Sequence, residues 1–161
     1  MTPSTLYLVC GLPGAGKTTR SRQILETVKA VYVGADDWVV ALGMSLVDYD
    51  FRVKLQQCLL AHSGSILRAG VSVVLEFGSW HRQERDAIRE LCHRAGARTE
   101  LHFVDAPLDE LVRRVRARGG RDAEILSSQV LMQDASRFER PTAEEARLFG
   151  RYFGPSDAWA R

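Results

Sequence analysis

Residues 5–19 read TLYLVCGLPGAGKTT, and this stretch decides the fold. Thr5 to Cys10 form a continuous apolar run that stops at a glycine, the pattern of a short strand buried on both faces. Gly11-Leu12-Pro13-Gly14-Ala15-Gly16-Lys17-Thr18 then satisfy G-x-x-x-x-G-K-[ST], the Walker A pattern. From average composition, such a match somewhere in a chain of this length has a chance of roughly one in a hundred. Here it also lies between a strand and an amphipathic helix, because Lys17 to Ala30 carries Ile24, Leu25 and Val28 at helical spacing. The glycines let backbone N–H groups curl around phosphate oxygens, and the helix N-terminus adds its partial positive charge. Lys17 is expected to reach the β- and γ-phosphates of ATP, and the Thr18 hydroxyl to help hold Mg²⁺. The competing reading is a glycine-rich turn whose lysine is merely solvated.

Working outward, short apolar runs alternate with helical patterns. Val31 to Val33, Val71 to Leu75 and Glu100 to Val104 read as strands; Asp48 to Ala69 and His81 to Ala95 read as helices. Gly70 and Gly96 end those two helices, and Pro107 opens a strongly basic one. Gly119-Gly120 is a flexible joint. This order implies an α/β fold with a largely parallel sheet of four or five strands, ligands sitting at the carboxyl ends of the strands. A fifth strand is hard to find in Ala146 to Arg161.

The chain has 161 residues, 45% of them hydrophobic and 26% charged, which fits one domain spanning 1–161. A formal net charge of +2 is too small to argue for a nucleic-acid partner. Cys10, Cys58 and Cys92 are odd in number and lack metal-ligand spacing, so all three read as reduced, buried thiols of a cytosolic protein. The N-terminus lacks a basic region followed by a long apolar run, and no stretch approaches the length of a membrane span. The expected location is cytoplasmic, with no membrane partner.

A P-loop alone does not separate a kinase from a GTPase or a passive binder. The guanine signature N-K-x-D is missing, and the chain is short for a large oligomeric motor. Length and layout favour a kinase that moves the γ-phosphoryl group onto a small acceptor. Such a transfer needs a carboxylate that takes a hydroxyl proton. Asp36 and Asp37 follow the second strand, one suited to act as general base and the other to cap a helix; alternatively both only cap it. Glu76 ends the most apolar strand, where it either serves magnesium-bound water or substrate, or pairs with Arg82 or Arg85. Trp80, Arg82 and Arg85 follow on the side where an acceptor would bind. The cluster Arg113, Arg114, Arg116, Arg118 and Arg121 supplies cations for a phosphoryl group, with Arg114 and Arg118 on one helical face. The alternative is a solvated basic face. His62, His81, His93 and His102 show no metal-site spacing.

With these residues in place, the chain resembles the small P-loop kinases of the zeta-toxin, chloramphenicol phosphotransferase and polynucleotide 5′-kinase group, and more narrowly bacterial ATP-binding proteins of AAA type. The resemblance covers roughly residues 5 to 145. It rests on GLPGAGKTT (11–19), ADDW (35–38), VVLEFGSWHRQERD (73–86), ELHFVDAPLDELVRRVRAR (100–118) and FERPTAEE (138–145). It implies a three-layer, nucleoside-kinase-like P-loop NTPase with an arginine-rich lid at about 113–125, using ATP and Mg²⁺. Gly11, Gly14, Ala15, Gly16, Lys17, Thr18 and Thr19 would bind the nucleotide; Lys17, Asp36, Arg114 and Arg118 would be catalytic, and Asp36 the base. Asp37, Glu76, Trp80, Arg82 and Arg85 would face the acceptor, and Phe138 to Pro141 the adenine. Similar polynucleotide kinases carry an arginine shortly after the aspartate pair, where this chain has Val39. The group is united by phosphoryl transfer and divided by acceptor. Three functions follow: kinase of a small hydroxyl compound such as an antibiotic, sugar or nucleoside-like metabolite, polynucleotide 5′-hydroxyl kinase, or non-catalytic ATP-binding module.

Overall fold

The computed structural model describes residues 3–45, 48–120 and 126–158. Strand β1 (Thr5–Cys10) is buried at every position and forms the middle of a five-stranded sheet. With β2 (Ala30–Gly34), β3 (Ser72–Glu76), β4 (Arg98–Phe103) and β5 (Arg151–Phe153) the order is β2-β3-β1-β4-β5, and every pairing is parallel. A strand with helices on both sides must be apolar on both faces, which is why β1 and β3 read as unbroken hydrophobic runs.

Among the described residues the helices are α1 (Lys17–Thr27), α2 (Ala35–Ala41), α3 (Tyr49–Arg68), α4 (Arg82–Arg94), α5 (Leu108–Arg118), α6 (Ser128–Arg137) and the single turn α7 (Ala143–Ala146). Alternate residues of β1 point to opposite faces. Tyr7 and Val9 pack with Ile24 of α1 and Val74, while Leu6, Leu8 and Cys10 join Leu59, Leu67, Ile88 and Cys92 from α3 and α4. The result is the three-layer arrangement. Register aligns the active edge: Glu76 lies opposite Val9 on one side and Gly34 on the other, so the loops after β1, β2 and β3 leave the sheet side by side.

The structure decides between four strands and five and corrects several other expectations. The fifth strand exists. It has three residues, too few for a periodic pattern, and is anchored by Gly150 N–H donating to the Thr99 carbonyl at 2.9 Å and by Phe153 stacking on His102. Helix α1 stops at Thr27, because Ala30 already belongs to β2. Neither Asp36 nor Asp37 caps α2: Gly34 is the N-cap residue, without a side-chain bond, and both aspartates lie in the first turn. Carboxylates there interact favourably with the helix dipole, so the turn tolerates both without using either as a cap. Cys10 and Cys92 are buried, and burial pushes both thiols up to about 12. Cys58 is exposed, since it falls on the outer face of α3; all three are free. Gly119 and Gly120 have φ of 64° and 65°, and Arg121 with the remainder of the proposed lid to 125 lies outside the described residues. Among the described residues, no helix is long and apolar enough to cross a membrane.

Candidate active site

The loop between β1 and α1 delivers an open helix N-terminus. Gly16 takes the N-cap position with φ 102°, a left-handed conformation that L-residues with a Cβ rarely adopt, and no side chain caps the helix. No acidic residue stands in the first turn, so its unpaired N–H groups face outward as an anion site. Lys17 folds back across the loop, its Nζ donating to the Leu12 carbonyl at 3.2 Å. Burial holds its pKa below the ordinary lysine range, opposed by the nearby carboxylates of Asp36 and Glu76.

Glu76 collects three hydroxyl groups. Thr18 Oγ1 donates to its Oε1 at 2.8 Å; Ser21 Oγ and Tyr32 Oη donate to its Oε2 at 2.7 and 2.9 Å. Burial and the Glu76 carboxylate raise the Tyr32 pKa, keeping that hydroxyl a donor. The sequence alternatives for Glu76, pairing with Arg82 or Arg85, are therefore not what the structure contains. Sequence reading missed Ser21 and Tyr32; Tyr32 inside an apolar strand was the one available signal.

Two cavities flank this centre. One, of about 650 Å³, lies between the phosphate loop and α5, bordered by Gly16, Thr19, Asp105, Arg113, Arg114 and Arg118. The other, of about 540 Å³, opens toward α2, α3 and α6 and is bordered by Lys17, Asp36, Asp37, Glu76, Trp80 and again Arg118. Arg118 and the loop thus face both. Arg114 is tied to Glu110 at 2.6 Å and reaches the Gly14 carbonyl at 3.3 Å, so it lies against the loop. Arg113 binds the same glutamate, while Arg116 donates to Ser128 Oγ at 2.8 Å. Arg140 pairs with Asp105 at 2.9 Å, which brings the 138–141 segment beside the first cavity.

Two expected acceptor-side residues are elsewhere. Arg85 is fully buried; its guanidinium forms a bidentate pair with Glu145 of α7, with Nη2 to Oε2 at 2.9 Å, and donates to the Ser79 carbonyl at 2.9 Å. It has no surface to offer a ligand. Instead it ties the loop after β3, where Ser79 holds φ 47°, to α7. Arg82 lies outside both cavities, paired with Asp86 at 3.6 Å, and its backbone N–H donates to Glu139. The second cavity gains residues that sequence reading did not select: Arg52 of α3 contacts Asp36 at 3.0 Å, and Asp134 and Arg137 come from α6. Val39 is buried in the core, and the arginine beside Asp36 is Arg52, from another helix.

Thr18 and Glu76 offer hard oxygen donors, which suit Mg²⁺, and among the described residues no group of three or more His, Cys, Asp or Glu is placed to hold a metal ion. A family model described as an AAA domain matches residues 6–141. A search of curated proteins finds no match. Among solved structures, the chain is similar to a gluconokinase from Sinorhizobium meliloti 1021, with 22% identity, TM-score 0.64, and 94% of this chain and 81% of that chain covered. It is similar to the APS kinase CysC of Mycobacterium tuberculosis, solved with AMPPNP and APS, with 19% identity, TM-score 0.67, and coverage of 98% and 92%. A chain of the Pnkp1/Rnl/Hen1 RNA repair complex gives 21% identity and TM-score 0.72, with 85% of this chain matching 44% of that one.

Proposed function

The chain belongs to this AAA-domain family, and from that premise we propose that it is an ATP-dependent kinase that transfers the γ-phosphoryl group to a hydroxyl of a small molecule. The observation that carries the reading is the pair of cavities meeting at the phosphate loop and Arg118, with Arg113 and Arg114 bordering the first and Asp36, Asp37 and Glu76 the second. A passive nucleotide binder needs only the first cavity. In this reading residues 1–161 are one cytoplasmic kinase domain whose arginine lid spans about 113–125.

Chemistry is then divided among residues already described. The first turn of α1 and Lys17 hold the phosphates, and Arg114 and Arg118 offset the charge spread over the moving group. Asp36, kept in place by Arg52 and open to the second cavity, accepts the acceptor's hydroxyl proton as the new O–P bond forms and the bond to the β–γ bridging oxygen breaks. Thr18 would hold Mg²⁺, with Glu76 positioned to receive its water ligands; bound there, the ion would supply positive charge at the β- and γ-phosphate oxygens. Arg85 and Arg82 take no part.

The test is transfer from γ-labelled ATP with Mg²⁺ to nucleosides, sugars, aminoglycosides, chloramphenicol-like alcohols and 5′-hydroxyl oligonucleotides. Label is expected on one small-molecule class. Label on oligonucleotides would instead favour a polynucleotide 5′-kinase, for which the guanidinium groups of Arg52 and Arg137 offer phosphate contacts. Label remaining in ATP despite measurable nucleotide binding would overturn the kinase reading in favour of an ATP-binding module.

A further inference from the structure

Helix α6 breaks its own pattern. Leu131 and Phe138 are buried at 1% and 6% exposure, and the position between them on the same stripe is Asp134, at 4%. A core-facing helix places a hydrophobic residue there. Buried carboxylates in folded proteins are paired or hydrogen-bonded, because the desolvation of an unpaired one is costly. Among the described residues, Asp134 makes no side-chain hydrogen bond and no ion pair within 4.0 Å, as Arg85–Glu145 does. Nor are its oxygens among the sealed, unpartnered polar atoms; the side chain borders the second cavity. The carboxylate is buried, uncommitted and directed at the space the proposed acceptor would fill. Burial raises its pKa, only partly opposed by Arg137 and Arg52.

Arg52 and Arg137 border the same cavity, Arg52 being paired with Asp36, and Asp36, Asp37, Glu76 and Glu84 border it too. A pair of adjacent hydroxyl groups matches such a mixed lining: it donates to the carboxylate, while its oxygens accept from the arginines. Resting on the kinase reading of this cavity, we propose that Asp134 is an acceptor-binding residue that takes hydrogen bonds from adjacent hydroxyl groups of a polyol. The site trades fold stability for recognition, as binding sites commonly do.

The experiment compares wild-type protein with Asp134→Asn and Asp134→Ala in two measurements. The first is thermal unfolding without ligand at neutral pH. Both variants are expected to melt at or above the wild-type temperature, because an unpartnered buried charge has been removed; a clear fall in both would show that Asp134 holds the fold together and would overturn the proposal. The second is transfer from γ-labelled ATP to polyols such as sorbitol and glucose, with the other acceptor classes of the panel beside them. Asp134→Asn should raise KM for the polyol by about ten- to a hundredfold, the scale of a hydrogen bond to a charged group, with nucleotide affinity retained. An unchanged KM, or label on another acceptor class with none on a polyol, would overturn the proposal and leave the kinase reading standing. If no acceptor takes label, the kinase reading fails and the proposal with it.

Discussion

The proposed phosphate side and the proposed acceptor side of this protein are built in opposite ways. The phosphate cradle is one contiguous stretch, Gly11 to Thr19, held between the central strand and the helix that follows it. The acceptor side is assembled from α2, α3, the loop after β3, and α6, with the loop fixed from behind by the Arg85–Glu145 pair. A contiguous site can be damaged at one residue and keep its shape. A dispersed one depends on tertiary fastenings far from any ligand, and its specificity can change by exchanging helix faces while the cradle stays the same.

Experiments can break or sharpen this contrast. The largest effect is expected at the fastening. Arg85→Ala leaves Glu145 as an unpaired buried charge and should cost about 3–5 kcal/mol in denaturant unfolding. Replacing both partners together, with Arg85→Met and Glu145→Leu, should recover much of that loss. If the single variant is as stable as wild type, the acceptor side is not held in the way described.

Lys17→Ala comes next. It should reduce phosphate transfer by about 100- to 1000-fold and weaken nucleotide binding while leaving the melting temperature near wild type. Unimpaired transfer would sink the assignment of the cradle. Asp36→Asn should lower kcat by about a hundredfold with nucleotide affinity nearly intact. A larger loss in Asp37→Asn would move the general base by one residue. Glu76→Gln is the mildest: it keeps the side-chain shape but weakens acceptance from Thr18, Ser21 and Tyr32, and should raise the Mg²⁺ concentration for half-maximal rate by about tenfold. A rate independent of Glu76 at low Mg²⁺ would separate that carboxylate from the metal.

Much of the fold was legible because its signals are local. The strand–loop–helix of residues 5–27, the helix beginning at Asp48 and the stops at Gly70 and Gly96 are each written within a few residues. Of the candidate site, the glycine-rich loop is the part written in one stretch. The sequence singles out Glu76 but not its partners, since Thr18, Ser21 and Tyr32 lie 58, 55 and 44 residues away. Arg85 read as an acceptor-side arginine or a partner of Glu76, and nothing local marks it as the buried partner of Glu145, 60 residues on. Asp134 left one faint trace, a carboxylate where the helical stripe asks for an apolar residue.

By itself, then, the sequence determined the alternation of strands and helices, the phosphate cradle and its lysine, because backbone conformation and hydrophobic period are properties of neighbouring residues. The tertiary structure decided which carboxylate is paired, which is shared among hydroxyls and which is left open. It also decided that Arg52 rather than a residue at position 39 attends Asp36, and that a three-residue strand closes the sheet. Those outcomes follow from how helices pack across the sheet. Charge and hydrogen-bond partners act over a few ångströms of space, whatever their separation along the chain.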